Sequence, residues 1–241
     1  MSTVKATRAD GNETRRRLKQ GAQRLFATRG VDSVTIKDIV AAAGQRNNAS
    51  LHYHFGSKEA LVAELLLDGA KRVDAARQKM LDAMGADGGA IDVRMILEAL
   101  VRPVSQITED EGPGNTYIRF ISNLQMNQRS FFRSTLGERW NAGYRRCLEL
   151  LRELLSDVPA ALLEQRLSMM GIYANAIFAA KEAALDETPA LNRFWSPAHT
   201  LDNIIDTLQA VLQCAPSEAT ASLLVSAGAP VRRPATGFRP V

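Results

Sequence analysis

The sequence predicts an all-α chain. Apolar residues recur at helical spacing from Glu13 almost to Gln213, no run of alternating β-branched residues interrupts them, and Gly and Pro mark the breaks. The chain has 241 residues, 46% apolar and 23% charged, enough for a sizeable core in one or two domains. No apolar run approaches the roughly 18–20 residues that span a bilayer. The N-terminal MSTVKATRADGNETRRRLKQ lacks the apolar centre of a secretory signal. Cys147 and Cys214 lie far apart, which argues against a disulfide framework or a cysteine-built zinc site. These features lead us to expect a cytoplasmic protein with no membrane partner.

The elements follow in order. Residues 1–12 are polar and are expected to form a disordered arm. From Glu13 to Arg29, Leu18, Ala22, Leu25 and Phe26 share one helix face, with Arg and Lys opposite, and Gly30 ends the helix. Thr35-Ile-Lys-Asp38 has the form of a capping box; it opens a short helix through Ile39, Val40 and Ala43 that Gly44 terminates. Asn47 can cap a third short helix, with Leu51 and Phe55 on its inner face. Gly56-Ser57 breaks it, and Ser57 caps a long helix running toward Met84. Residues 13–60 thus form a small helical domain. After a joint at Gly85–Gly89, helical patterning returns over roughly 90–107, 115–129, 131–156, 159–186 and 197–213. The breaks fall at Glu111–Gly114, at Pro159 and around Pro189 to Pro197, and the larger domain spans 61–214. Residues 215–241 turn to Ala, Ser, Pro and Arg and are expected to be a disordered tail.

Charge is unevenly shared. The net charge is +4, but residues 1–60 hold eleven Lys/Arg against five Asp/Glu, so the head is basic and the remainder slightly acidic. An anionic partner at the N-terminal end fits this. The two short helices, 35–43 and 47–54, are joined by a turn beginning at Gly44, the form of a helix-turn-helix. In that unit the start of the second helix faces base edges in the major groove. Here those residues are Gln45, Arg46, Asn47, Asn48 and Ser50; Asn and Gln suit adenine, Arg suits guanine, and Ser suits either. Thr35 at a helix N-terminus attracts anions. Lys58 stands in the first turn of the next helix, an awkward place for a cation unless it faces a phosphate. His52, Tyr53 and His54, with Arg15, Arg16 and Arg17 from the first helix, complete the expected phosphate set.

From Arg15 to about Leu66, the chain resembles the TetR family of bacterial transcriptional regulators. The likeness rests on the basic first helix ending LFATRGVDSVTIKDIVAAAG and on LHYHFGSKEALV, about a quarter of the chain. One departure is visible: the segment AGQRNNASLHYHF carries one residue more than the family usually has, so His52 stands where a Tyr is usual and Tyr53 follows it. The resemblance implies a homodimeric repressor on a palindromic double-stranded DNA operator, released when a small effector enters the larger domain. It further implies that the last two long helices, 159–186 and 197–213, pair with those of a second copy. An activator or a ligand-dependent co-repressor would use the same residues.

Other chemistries are poorly served. His52 and His54 are two apart and do not share a helix face, so no metal site is expected. No Gly-x-Ser-x-Gly elbow or Gly-rich phosphate loop occurs. His199 reads as a surface group, and Cys147 as an inert thiol unless Arg145 and Arg146 activate it. No enzyme activity and no cofactor are expected; a helical carrier or enzyme for apolar ligands is the minor rival. An apolar or aromatic effector would meet a pocket drawn from Tyr117, Phe120, Met126, Phe131, Trp140, Met169, Tyr173 and Phe178, anchored by Arg102. Asn115, Arg119 and Asn123 are further candidate anchors.

Overall fold

The computed structural model describes residues 3–86, 88–110, 115–137, 139–187 and 193–226, and among them there is no strand. Helices α1 (Thr3–Arg29), α2 (Ile36–Ala42) and α3 (Ala49–Phe55) form the head, and α4 (Lys58–Ala86) leads out of it into the body. The body continues with α5 (Val93–Asp110), α6 (Tyr117–Asn127), α7 (Arg129–Leu136), a 3-10 turn (Arg139–Asn141) and α8 (Ala142–Leu154). Two helices packed on each other, α9 (Ala160–Glu187) and α10 (Thr200–Gln213), follow, and then α11 (Glu218–Ser226).

Three boundaries differ from the sequence expectation. The first helix starts at Thr3, so the expected disordered arm 1–12 is largely helical. Once a helix is nucleated, Ala, Arg and Lys extend it cheaply. The segment 131–156 is two helices, because Gly137 takes a left-handed φ of 55° and stops α7. Within the expected tail, α11 forms from Glu218, its amides held by Ser217, whose Oγ accepts from Thr220 N at 3.3 Å. Residues 227–241 of the tail and the 111–114 break lie outside the described residues.

One core runs through head and body. In the head, Leu18, Ala22 and Phe26 of α1 meet Ile39, Val40 and Leu51 of α2 and α3, and all six are buried. Burial of this apolar set is the main force holding three short helices together. Gly21 allows the close crossing: a Cβ there would stand 3.2 Å from the Ala42 Cβ. Head and body join where the Phe26 ring packs on Phe120 of α6 at 5.9 Å between centroids. Tyr117, one turn earlier, lies on the bare backbone of Gly69 in α4 and donates its hydroxyl to Leu66 O at 3.1 Å.

Several helix ends are capped by side chains from other helices. The buried Glu182 of α9 accepts from the amides of Ile118 and Arg119 at 2.9 and 2.8 Å, satisfying the start of α6. Asp74 of α4 does the same for α8, accepting from Gly143 N at 2.8 Å. Arg166 of α9 donates to Leu212 O and Cys214 O at 2.8 and 2.5 Å, closing the end of α10. Pro103 inside α5 has no N–H for the carbonyl of Ala99; the buried Arg77 guanidinium supplies the donor at 3.2 Å and also reaches Leu100 O at 2.9 Å.

Candidate nucleic-acid interface

The head is built around its caps. Thr35 and Asp38 form the expected capping box: Asp38 N donates to Thr35 Oγ1 at 3.2 Å, and Thr35 N donates to Asp38 Oδ2 at 2.9 Å. The Thr35 amide, followed by the Thr35 hydroxyl, holds the Asp38 carboxyl below the usual carboxylate range. At the other end of α2, Gly44 takes a left-handed φ of 69°, and two reverse bonds, Gly44 N to Ala41 O and Gln45 N to Val40 O, close a Schellman turn. Helix α3 therefore starts at Ala49, two residues later than expected. Gln45, Arg46 and Asn47 lie in the turn and not on the helix.

The five expected base-reading residues divide by their partners. The Asn47 Oδ1 accepts from Ala49 N at 2.9 Å, and the Ser50 hydroxyl donates to Asn47 O at 2.8 Å, so both are engaged in forming the helix start. Gln45 is half-buried. Arg46 and Asn48 are exposed, and the Asn48 side chain makes no cap bond. On α3 itself, Leu51 is fully buried while Ala49, His52 and Tyr53 face outward, Tyr53 with 84% of its surface exposed. Ala49 is not among the sequence candidates; a small side chain gives no signal until the helix phase is known.

The expected phosphate set divides in the same way. Lys58 is explained internally: its Nζ donates to Val31 O at 3.0 Å and Val34 O at 2.9 Å, fastening the α1–α2 loop to the start of α4. Its place in a first turn thus has a cause that needs no phosphate. Arg15 turns inward as well, reaching Glu64 at 2.5 Å and lying over the Phe55 ring at 4.8 Å. Arg16 and Arg17 stay exposed and share Glu13, at 2.7 and 2.8 Å. Their hydrogen bonds hold the Glu13 carboxyl down at about 2. The exposed His52 places Nδ1 2.9 Å from Gly56 O at the end of α3. His54 is half-buried, edge-on to Tyr53 at 5.0 Å. A groove of about 360 Å³ runs between Thr35, His52, Ser57 and Lys58.

The expected effector-pocket residues occupy several different environments. Phe120 is fully buried, and Tyr117 is packed on Gly69, so both are filled core at the head–body joint. Met126 and Met169 are 78% and 58% exposed. Arg102 pairs with Glu98 and Asp202 at 3.4 and 3.1 Å, between α5 and α10. Lys71 lies over the Trp140 ring, and the Tyr173 hydroxyl is 3.0 Å from Thr207 Oγ1. Phe178 is buried between helices, and Phe131 is half-buried on α7. The further anchors are also used elsewhere: Asn115 caps Tyr117 N, Arg119 pairs with Asp186, and Asn123 holds α1. A cavity of about 180 Å³ beside Arg152, Pro159 and Glu164 touches none of them. Aromatic and Met residues at helical spacing mark core and interface alike, and patterning alone does not separate them.

Comparison with known families places both parts of the chain. Residues 20–65 match the model described as bacterial regulatory proteins, tetR family, and residues 98–211 match the tetracyclin repressor-like C-terminal domain. The chain belongs to the TetR family. Among relatives of this TetR-family chain, the uncharacterized HTH-type transcriptional regulator YdgC of Bacillus subtilis (strain 168) is 32% identical over 50% of this chain and 60% of its own. The HTH-type transcriptional repressor KstR2 of Mycolicibacterium smegmatis is 40% identical over 27% of this chain and 31% of its own. The chain thus matches less than two thirds of the length of these relatives. The TetR family transcriptional regulator PfmR of Thermus thermophilus aligns over 83% of this chain and 96% of its own, at 19% identity and a TM-score of 0.45. Among the described residues no helix is long and apolar enough to cross a membrane.

Proposed function

We propose that this TetR-family chain is a sequence-specific DNA-binding transcriptional regulator. In this reading it is a homodimeric repressor, released from a pseudo-palindromic operator by a small apolar or aromatic effector. The observation that carries the reading is the outer face of α3. Ala49, His52 and Tyr53 of α3, its N-cap Asn48 and Arg46 in the turn before it are all exposed, over a buried Leu51, and the starts of α2 and α4 on either side are capped by Thr35 and Ser57. Insertion into a major groove asks for such a short, rigid helix with outward polar groups. Arg46 suits guanine, Asn48 suits adenine, and the Ala49 methyl suits the thymine methyl. Arg16, Arg17, His52 and Tyr53 are exposed where phosphates could approach them.

Dimerisation is supported by α9. Met169 and Ile172, 58% and 51% exposed, share a face with the exposed Gln165, Ala176 and Ala180. A second copy pairing along 159–186 and 197–213 would cover that stripe. The repressor sense is supported by the KstR2 relatives, both described as repressors, and effector release by the tetracyclin repressor-like match.

The test is selection of bound duplexes from a random library at about 0.15 M salt, with wild type and Asn48→Ala in parallel. A symmetric motif, degraded in the mutant by about 1–3 kcal/mol at one position, is the expected result. Absence of any enriched motif, with and without a pool of apolar acids and aromatics, would overturn it.

A further inference from the structure

Helix α6 is tied by directional bonds on both of its sides. Toward the head, the Asn123 amide donates to the carbonyls of Ala27 at 2.8 Å and Phe26 at 3.4 Å, in the last turn of α1. Ala27 O is one of the terminal carbonyls that an α-helix cannot satisfy for itself. Gln128, just past α6, donates to Asp32 in the α1–α2 loop at 2.5 Å. Toward α9, both oxygens of Glu182 take the first amides of α6, Arg119 meets Asp186 at 2.5 Å, and Asn175 donates to Gln125 at 2.6 Å. The exposed apolar stripe lies on that same α9. Between α1 and α6 the apolar contact includes Phe26 against Phe120, tilted at 31°. Ring contacts of this kind tolerate sliding, whereas a hydrogen bond is lost within a few tenths of an ångström beyond its length.

We infer that Asn123 is a positioning residue that sets the angle of the helix-turn-helix head against α9, and hence the half-site spacing that a dimer accepts. This rests on the DNA-binding reading above. One base pair is about 3.4 Å along the duplex, so a small swing of each head changes the spacing by a step. Asn123 is only part-buried, so its replacement leaves both cores intact. Asn123→Asp keeps the shape but has no donor for the Ala27 carbonyl, and Asn123→Ala removes the group.

The test uses the full chain. Wild type, Asn123→Ala and Asn123→Asp are given duplexes carrying the selected half-site at varied separations. The expected result is one preferred separation for wild type, and the same half-site spread over neighbouring separations for both variants. Affinity at the best separation should fall about threefold to tenfold. Retention of the single wild-type separation by both variants would overturn the inference. A second readout needs no DNA: the distance between nitroxides on Lys37→Cys in α2 and Glu149→Cys in α8. It is measured in a Cys214→Ser background, with labelled chain diluted into unlabelled chain. A broader distribution in both Asn123 variants, with helicity unchanged, supports the inference; an unchanged distribution overturns it. If wild type selects no half-site, the DNA reading fails and this distance alone decides the role of Asn123.

Discussion

Gly69→Ala isolates the contact between α4 and α6. A Cβ at Gly69 would stand 2.0 Å from the Tyr117 Cζ, 2.3 Å from its Cε2 and 2.4 Å from its hydroxyl. Non-bonded carbons prefer about 3.5–4.0 Å, so the ring must move by roughly 1.5 Å. Tyr117 is 6% exposed, and its neighbours are the fully buried Phe120 and the α4 backbone, so little space receives it. Overpacking of this kind costs about 1–3 kcal/mol. Loss of the bond to Leu66 O adds about 1 kcal/mol, and the gain in helix propensity from Gly to Ala offsets about 1 kcal/mol. The net expectation is a loss of about 1–3 kcal/mol. For a chain of this size that lowers the melting temperature by roughly 2–12 °C. The assay is thermal and urea unfolding followed by far-ultraviolet circular dichroism at fixed protein concentration. Tyr117→Leu serves as the partner in a double-mutant cycle, and in that background Gly69→Ala should be neutral or stabilising. A Gly69→Ala chain as stable as wild type would refute the packing argument. So would an equal loss in the Tyr117→Leu background.

Other expectations follow from the head and the thiols. Lys58→Ala should destabilise the fold by about 1–3 kcal/mol, because two backbone carbonyls lose a charged donor. It should leave the salt slope of DNA binding unchanged; a slope lower by about one would restore Lys58 to the phosphate set. Thr35→Ala should cost about 0.5–2 kcal/mol, read from the urea midpoint, and an unchanged midpoint would discount the cap. Glu13 is held down at about 2 by Arg16 and Arg17. A lowered carboxylate adds stability above its ordinary value of 4.5 and loses it as pH falls toward 2, so helicity of α1 should decline across that window. Carbon-13 titration of the Glu13 carboxyl checks this, and a midpoint near 4.5 would refute it. Burial, set against the nearby Arg77, leaves the Cys147 thiol pushed up to about 11, so a thiol reagent at pH 7 should label Cys214 alone until the chain unfolds.

Local signals are the readable ones. The capping box at Thr35, the Gly44 turn, the Ser57 start of α4 and the buried faces of α1 and α2 all lie within a few residues of one another, and sequence spacing reports them directly. The site residues fare less evenly because their partners are remote. Lys58 looks anomalous in a first turn until Val31 and Val34 are brought beneath it, and Arg15 looks free until Glu64 and Phe55 arrive. Tyr117 and Phe120 carry the composition of a ligand pocket, yet they fill the joint between head and body.

The same remoteness explains which helix ends escape notice. No side-chain cap from the N-cap residue is present at α6, α8 or α10. Thr116 before α6 and Asn141 before α8 are residue types that the N-cap rule favours, yet their side chains make no cap bond, and His199 before α10 is not such a type. Glu182 and Asp74 meet the need at α6 and α8, Arg166 closes the end of α10, and Arg77 serves the carbonyl that Pro103 leaves open in α5. All four lie on α4 or α9, the two longest helices of the body. A helix capped by itself keeps its geometry wherever it moves, but a helix capped by another is registered against that neighbour. Exchange of Glu182 for Gln should on this reasoning free α6 from α9 while leaving α2 untouched. Amide hydrogen exchange would then rise at Ile118 and Arg119 and stay unchanged at Asp38. Equal protection at Ile118 in both chains would mean that the register of α6 is set by apolar packing alone.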